Sequence, residues 1–490
     1  MIFHRYRAFN ASGTKLLVCV LLLGLPQTVR SQAIASSPPN IVIILADDQG
    51  IADVASNPHA TPIYTPNLDR LAEDGIRFSE AYANGSMCTP SRAALLTGRY
   101  QHRFGIYSVN EGWVGFPKGT KVAPQYFKEL GYTTAIIGKW HLGGEVWSFN
   151  RPENKGFDRH WYWLNSTHDY WKPDVGNDPV RGLITYAPIF DQGRPVDRMQ
   201  YLTREIGAQS VRFIEESIAQ DKDKPFFLYV AHHCPHVPLH VPKETWEKYE
   251  SLGLGVNAQA TRAMYDELDA SVGMIIDKLE ALGIRENTLI IYSSDNGGGV
   301  TEAQLNWPFR GGKFDFLEGG IRIPTIVSWP DRLPAGRVYR EPMMHMDLLP
   351  TALAAAASGL DPRFDGVNLL PYMRGERTDP PHETLYWCES TSQDDWAIRD
   401  GDWVLVYTVI GQGLFNVRED PAQINDLRSL RPDKLRELKE KYAAWARQTL
   451  RQPITEDPDA KERRNRIRAE SQDDPLYRIR SFSGTFGGER

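Results

Sequence analysis

The 490-residue sequence is short of cysteine, of long apolar runs and of any marked excess of charge. Four cysteines are too few for a scaffold held together by disulfides. The net charge is −6, and the sequence has neither a basic excess nor a block of lysine and arginine. Its charge therefore gives no support for a nucleic-acid partner. The sequence contains no internal repeat. A chain of this length with ordinary apolar content can bury a large core and has room for more than one domain.

One apolar segment, residues 16–25, follows a positively charged region and precedes a small-residue cleavage pattern at residues 31–33. It is too short to span a bilayer comfortably. We therefore expect residues 1–33 to be a signal peptide, and the protein to be secreted or periplasmic, with no transmembrane segment after signal removal. An uncleaved signal anchor is the alternative. Cys19 would leave with the signal, and whether Cys234 and Cys388 pair remains open.

Apolar segments predict strands of the kind buried on both faces of a parallel sheet. These segments are residues 40–46, 132–137, 226–230 and 288–292. Helical spacing of apolar side chains predicts covering helices at residues 202–219 and 258–282. The predicted fold class is α/β, with a large mixed, mostly parallel sheet sandwiched by helices.

Beyond residue 375 the pattern changes to short strands and a closing helix. The strands are predicted at residues 385–388, 396–407 (with a turn at Asp400-Gly401) and 414–417, and the helix around residues 435–445. We expect a main domain at residues 37–375, a smaller C-terminal α+β domain with an antiparallel sheet at residues 376–452, and an extended charged tail at residues 453–490.

Polar oxygen-bearing side chains follow two of the buried strands. Asp47 and Asp48 come directly after residues 40–46, and Asp295 and Asn296 come shortly after residues 288–292. Adjacent carboxylates at the end of a buried strand repel each other unless a cation or a basic group neutralises them. A solvated loop and an Asx turn are the alternatives for these pairs. Together the four residues suit a calcium or magnesium site, at the edge where open α/β sheets bind ligands.

A short helix is predicted to begin beside Cys88, because Pro90 stands near its start and Gly98 just past its end. Cys88 would meet free backbone N–H groups there, and Arg92, four residues on, falls on the same face. Such an arrangement can hold an anion. The alternative is a buried cysteine beside a surface arginine.

Three further segments contain candidate site residues. Lys139 and His141 are two apart on what we expect to be extended backbone, so both should project to one side, where they could hold an anion and exchange a proton. Lys313 ends the glycine-dense run at residues 310–313. The glycines either allow a sharp turn that brings Lys313 near a ligand or belong to an ordinary surface loop. Residues 232–240 are rich in histidine, which could indicate a zinc site. Two prolines in the segment interrupt the regular spacing that zinc ligands need, so we do not predict zinc there.

Aromatic side chains are dense between residues 147 and 191. Aromatic faces with polar edges suit sugar rings, and a long irregular insertion is where specificity tends to reside. Packing in the core beneath a loop is an equally weighted alternative.

The run Cys-x-Pro-Ser-Arg-x-x-x-Leu-x-Gly-Arg at residues 88–99 resembles the signature of the formylglycine-dependent (type I) sulfatases of the alkaline phosphatase superfamily. The segments around residues 138–143, His236 and residues 310–324 are similar to the same family, and their combination resembles its galactosamine-sulfatase and arylsulfatase-like branch. The resemblance implies an alkaline-phosphatase-like fold and hydrolysis of sulfate esters on a sulfated polysaccharide or glycosaminoglycan sugar. It also implies that a formylglycine-generating or sulfatase-maturing enzyme converts Cys88 to formylglycine, whose hydrated aldehyde is the nucleophile.

The same resemblance implies a divalent cation, Ca²⁺ with Mg²⁺ as the alternative. Its ligands would be Asp47, Asp48, Asp295, Asn296 and the modified Cys88. Asp295 would also take the proton from the attacking hydroxyl.

By resemblance, Arg92 and Lys139 would steady the formylglycine hydrate, and Lys139 and Lys313 would neutralise the sulfate. His236, with Lys313, would assist departure of the sugar alkoxide. His141 would then take the proton from the second hydroxyl, so that the covalent sulfo-enzyme releases sulfate and regenerates the aldehyde. Two other functions are compatible with the sequence: a formylglycine-dependent phosphonate or phosphodiester hydrolase, and a catalytically silent glycan-binding protein.

Overall fold

The computed structural model describes residues 37–57, 63–178, 183–299, 303–390, 395–408 and 412–455. The expected signal peptide and most of the expected tail lie outside the described residues. Within those ranges, no helix combines the length and the apolar character needed to cross a membrane.

The described strands share short lengths of two to seven residues. In chain order they are β1 (Asn40–Ala46), β2 (Ile76–Phe78), β3 (Ala81–Tyr82), β4 (Thr133–Lys139), β5 (Arg159–Trp163), β6 (Val175–Asp178), β7 (Leu183–Tyr186), β8 (Phe190–Asp191), β9 (Arg194–Pro195), β10 (Phe226–Ala231), β11 (Thr288–Ser294), β12 (Thr325–Ser328), β13 (Arg337–Tyr339), β14 (Met343–Met344), β15 (Thr384–Cys388), β16 (Trp396–Asp400), β17 (Trp403–Tyr407) and β18 (Gln412–Asn416).

The described α-helices range from single turns to a helix of 26 residues. They are α1 (Pro66–Glu73), α2 (Cys88–Thr97), α3 (Ala123–Glu129), α4 (Leu202–Gln220), α5 (Lys243–Glu247), α6 (Val256–Ala281), α7 (Glu318–Ile321), α8 (Leu348–Ala355), α9 (Leu370–Met373) and α10 (Pro432–Thr449).

The large sheet has ten strands in the order β13-β2-β12-β11-β1-β10-β4-β5-β8-β9. Its centre is parallel: β11, β1, β10, β4 and β5 run in one direction, and β12 pairs antiparallel with β11. Every residue of β1, β10 and β11 is buried, as the apolar runs predict. The prediction of a mixed, mostly parallel sheet is confirmed.

Alternate side chains of β1 enter two apolar layers, one on each face of the sheet. Val42 and Ile44 pack in the layer that contains the buried sides of α4 and α6. Ile41, Ile43 and Leu45 pack in the layer that contains α2, α3 and α8. The sheet is therefore sandwiched by helices, and α2 lies on the face opposite α6.

A separate antiparallel sheet is formed by β15, β16, β17 and β18 in sequential order, which confirms the predicted C-terminal architecture. Leu438 and Tyr442 of α10 are buried against one of its faces. Its other face shares an apolar cluster with Tyr82 and Met344, and the indole N–H of Trp387 donates to the carbonyl oxygen of Ala83 at 2.8 Å. The domain boundaries drawn from the sequence stay predictions.

The aromatic segment at residues 147–191 mostly belongs to the core. Trp161, Tyr162 and Trp163 are consecutive residues of β5 and are at most 1% exposed, and Tyr170 is fully buried. Trp171, at 47%, and Tyr186, at 42%, are exposed. Core packing is therefore the correct alternative for most of these rings.

A glycine in β4 allows the strand to run close to β10. Gly138 has φ +117°, and a Cβ added there would overlap the carbonyl oxygen of Ala231. We predict that Gly138→Ala lowers the free energy of unfolding by roughly 3 kcal/mol, because it adds backbone strain and forces two paired strands apart. Urea unfolding measures this effect.

Gly131→Ala is the matched control, because Gly131 has φ +87° and open space around the added carbon. It should lose only about 1 kcal/mol, from backbone strain alone. Equal losses in the two variants would contradict the role assigned to the close approach.

Candidate active site

The chemistry-bearing residues lie where the central parallel strands end. Ala46 of β1 pairs with Ser294 of β11, so the residues that follow them are neighbours. The backbone N–H of Asp295 donates to the carbonyl oxygen of Ala46 at 3.1 Å, and that of Asp48 donates to Oδ1 of Asp295 at 3.2 Å. The structure thus brings together two pairs of polar residues that are about 250 positions apart in the chain.

Three buried ion pairs connect these aspartates to the basic residues singled out in the sequence. All six side chains are at most 10% exposed. The pairs, by their nitrogen-to-oxygen distances, are Lys139 with Asp47 (2.6 Å), Lys313 with Asp48 (2.8 Å) and Arg92 with Asp295 (2.8 Å).

The three carboxyl groups do not ionise equally. Burial alone would raise the pKa of Asp47, but Lys139, His236 and Arg92 hold it well below its usual range. Burial raises the pKa of Asp48 in spite of Lys313. Burial and the neighbouring charge of Asp47 raise the pKa of Asp295 to about 7. The basic side chains of the site therefore keep Asp47 ionised but do not offset the effect of burial on Asp48 and Asp295.

The residues present fit a divalent cation. Oδ1 of Asp47 and Oδ1 of Asn296 are buried and have no hydrogen-bond partner among the described residues. The Asn296 amide donates to Oδ1 of Asp48 at 2.7 Å and to Gly297 at 2.9 Å, which leaves its carbonyl oxygen available as a ligand. One ligand atom from each of Asp47, Cys88 and Asp295 lies within 4.8 Å of the others. The carboxylate and amide oxygens of this set are hard donors, which suit calcium or magnesium.

Cys88 is the first residue of α2 and is 1% exposed. Its Sγ atom lies 3.3 Å from Nδ1 of His141. Burial raises the pKa of the thiol in spite of Lys139 and Lys313. Because the thiolate is the reactive form of cysteine, this side chain is a weak nucleophile as it stands. Among the described residues, Cys88, Cys234 and Cys388 are free.

The expectation of extended backbone is confirmed at Lys139 and wrong at His141. β4 ends at Lys139, and His141 has φ +53°. The pairing with β5 continues only as far as Trp140, whose N–H donates to the carbonyl oxygen of Trp163 at 3.0 Å, and the chain then turns. Lys139 therefore reaches Asp47, whereas the His141 ring reaches Cys88 and the Thr89 hydroxyl, the latter at 3.2 Å.

Two histidines of the run at residues 232–240 also face the aspartates. Nε2 of His236 lies 3.5 Å from Asp48, and Nδ1 of His233 lies 3.3 Å from Asp47. Because Nδ1 of His236 donates to the carbonyl oxygen of Val237 at 2.8 Å, Nε2 is the nitrogen that can gain or lose a proton. Burial, helped by Lys313, holds the pKa of His236 well below its usual range. Added negative charge, as from a bound anion, would raise that pKa.

Two residues around the site escaped the sequence reasoning. Glu389 accepts hydrogen bonds from the Ser86 hydroxyl and from the Ser86 backbone N–H, the latter at 3.2 Å. Gln304 donates to the carbonyl oxygen of Pro235 at 3.0 Å and accepts from the N–H of Gly299 at 2.6 Å, so it ties two site loops together. Neither residue stands in a motif, and no local signal marks it.

The buried Lys139–Asp47 pair leads to a stability prediction. Lys139→Ala should lower the free energy of unfolding by about 3 kcal/mol, because it leaves a buried carboxylate without its nearest cation. The measurement is urea unfolding of each purified variant in chelator-containing buffer.

Lys128→Ala is the matched control, because Lys128 pairs with Asp158 at the same 2.6 Å distance while 55% of its side chain is exposed. A loss below about 1 kcal/mol is expected there. If the two variants lose the same stability, burial does not govern the Lys139 pair.

Several known proteins and a family model are similar to this chain. The sulfatase family model matches residues 39–358. N-acetylgalactosamine-6-sulfatase of Mus musculus is 36% identical over 373 residues, which are 71% of this chain and 68% of that protein. Arylsulfatase A of Homo sapiens is 32% identical over 412 residues, covering 79% and 78% of the two chains.

Among solved structures, Ps i-CgsB in complex with k-i-k-neocarrahexaose superposes with a TM-score of 0.78 at 30% identity. The superposition covers 90% of this chain and 100% of the other. The family match takes in the aspartates, the basic residues and Cys88 described above. This chain therefore belongs to the sulfatase family, whose members are hydrolases of sulfate esters.

Proposed function

We propose that the protein removes sulfate from a sulfated polysaccharide or glycosaminoglycan sugar, and that it does so outside the cytoplasm, as a secreted or periplasmic enzyme. The observation that carries the proposal is the position of Cys88, whose Sγ lies within 4.8 Å of carboxylate oxygens of Asp47 and Asp295 and whose pKa is raised by burial and lowered in part by the charges of Lys139 and Lys313. The thiol itself is poorly ionised there, whereas a more reactive group at the same position would face an anion held by Lys139 and Lys313. The sulfated-sugar assignment is supported by the relatives, which include an N-acetylgalactosamine-6-sulfatase.

The nucleophile we propose is formylglycine, made from Cys88 by a formylglycine-generating or sulfatase-maturing enzyme. Its hydrate offers two hydroxyl groups. Asp295 would take the proton of the attacking hydroxyl. This role is supported by the cluster of ligand atoms, within 4.8 Å of one another, that contains its carboxylate and Sγ of Cys88. Arg92 fixes the Asp295 carboxylate through Nε at 2.9 Å and Nη2 at 2.8 Å.

Asp47, Asp48, Asp295, Asn296 and the modified residue 88 would hold Ca²⁺, with Mg²⁺ as the alternative. When bound, the cation withdraws negative charge from a sulfate oxygen and favours the ionised nucleophile.

Other residues handle the sulfate and the protons. Lys139 and Lys313 neutralise the sulfate charge. Nε2 of His236, with Lys313, assists departure of the sugar alkoxide. His141, whose Nδ1 lies 3.3 Å from Sγ of Cys88, takes the proton of the second hydroxyl, and this step releases sulfate and restores the aldehyde.

The first test of the proposal is chemical. In protein co-produced with a formylglycine-generating enzyme, we expect the peptide that contains Cys88 to have the mass of the aldehyde or its hydrate, and the Cys234 peptide to keep a thiol. The same protein should release sulfate from at least one sugar in a panel of sulfated sugars, and Cys88→Ala should release none.

Each part of the proposal has its own contrary result. Sulfate release by protein whose Cys88 is still a thiol would contradict the formylglycine step. Complete conversion with faster turnover of phosphonates or phosphodiesters than of any sulfate would indicate the phosphoester hydrolase. Complete conversion with glycan binding and no release would indicate the silent binding protein.

The cation leads to a second prediction. EGTA should abolish sulfate release and added Ca²⁺ should restore it. Asn296→Ala should raise the Ca²⁺ concentration needed for half-maximal rate roughly 10-fold or more, because it removes the buried Oδ1 ligand. Asn425→Ala, at an exposed residue of the C-terminal part, should leave the requirement unchanged. Restoration by Mg²⁺ and not by Ca²⁺ would contradict the choice of calcium.

A further inference from the structure

Phe314 combines two features that rarely occur together. Its backbone has φ +76°, a conformation that is unfavourable for a bulky residue. The residue is also 59% exposed, so burial of the ring does not compensate for the strain. Such a combination at the edge of an active site points to a role in binding.

The site itself holds Phe314 in place. The N–H of Phe314 donates to the carbonyl oxygen of Ser86 at 3.0 Å, two residues before Cys88. The N–H of Lys313 donates to the carbonyl oxygen of Gly298 at 3.1 Å, two residues after Asn296. The backbone that carries the ring is therefore held by the two loops that contain the expected nucleophile and a cation ligand.

The ring lies beside the lysine expected to hold the sulfate. Its centroid is 5.4 Å from Nζ of Lys313, and that Nζ is 2.8 Å from Oδ2 of Asp48. A sulfate ester bound to Lys313 would thus place its attached group within reach of the exposed ring. The aromatic side chains of β5 cannot serve this purpose, because they are buried in the sheet.

We propose that Phe314 determines specificity: its face packs against the apolar C–H face of the sugar that carries the sulfate. An aromatic ring and a few charged groups are the usual means of fixing a polar ring in a cleft. The inference rests on the proposed function and adds to it the contact that selects the sugar. It also assigns a use to the exposed aromatic surface beside Lys313.

The test compares three variants on a sugar sulfate that the unaltered protein hydrolyses. Phe314→Leu keeps apolar bulk without a ring, Phe314→Gly removes the side chain and the backbone strain, and Phe314→Tyr keeps the ring. We expect the first two to raise KM roughly tenfold and the third to stay within about threefold of the unaltered protein. Inhibition by inorganic sulfate should change less than about twofold in all three, because both lysines remain.

Ala357→Gly is the control for backbone strain, since Ala357 is an exposed non-glycine residue with φ +56° in the turn after α8. Its KM should not change. A KM in Phe314→Leu within twofold of the unaltered protein would overturn the inference.

Weaker inhibition by inorganic sulfate, in parallel with the rise in KM, would also overturn it, because the ring would then act by positioning Lys313. If the unaltered protein releases no sulfate from any sugar, the proposed function fails, and this inference fails with it. Sulfate release by the unaltered protein together with an unchanged KM in Phe314→Leu overturns this inference alone.

Discussion

Three carboxylates are withdrawn from water at one edge of the large sheet, and three cations lie within 2.6 to 2.8 Å of them. Without those cations the desolvation of the aspartates would oppose folding. The partners come from separate parts of the chain: α2, the end of β4 and the loop that contains Lys313. At the centre of the sheet the strand order is β11-β1-β10-β4. This order places the ends of β11, β1 and β4 close together, and the aspartates and Lys139 therefore lie at one edge of the sheet.

The same ion pairs bear on the proposed reaction. In the structure Lys139 and Lys313 each neutralise an aspartate. A divalent cation would take over that task, and the ammonium groups would then be available to an incoming anion. In the proposed reaction, charge balance would be kept by this exchange of partners, and the anion would bind well only after the cation is in place.

Sequence reasoning located the central strands and most of the polar residues that the structure brings together at their ends, and its errors have physical causes. The strand predicted at residues 288–292 extends to Ser294, and the strand predicted at residues 132–137 extends to Lys139. In both, the backbone pairing continues beyond the last residue of the apolar run. The β5 aromatics are buried because an apolar layer covers each face of the sheet there, Trp161 and Trp163 lying in one layer and Tyr162 in the other. Composition cannot show this. Glu389 and Gln304 act through contacts between loops that are far apart in sequence.

The contacts made by the C-terminal sheet have a consequence for the way this chain can be divided. The Trp387 indole N–H donates to the Ala83 carbonyl oxygen, and Glu389 accepts from the Ser86 N–H. The segment that leads to Cys88 is therefore held by hydrogen bonds to the C-terminal part of the chain. A shortened chain that ended before β15 would release that segment and uncover the apolar surface around Tyr82. The two sheets therefore depend on each other for their contacts. Recombination between family members would have to transfer both sheets together.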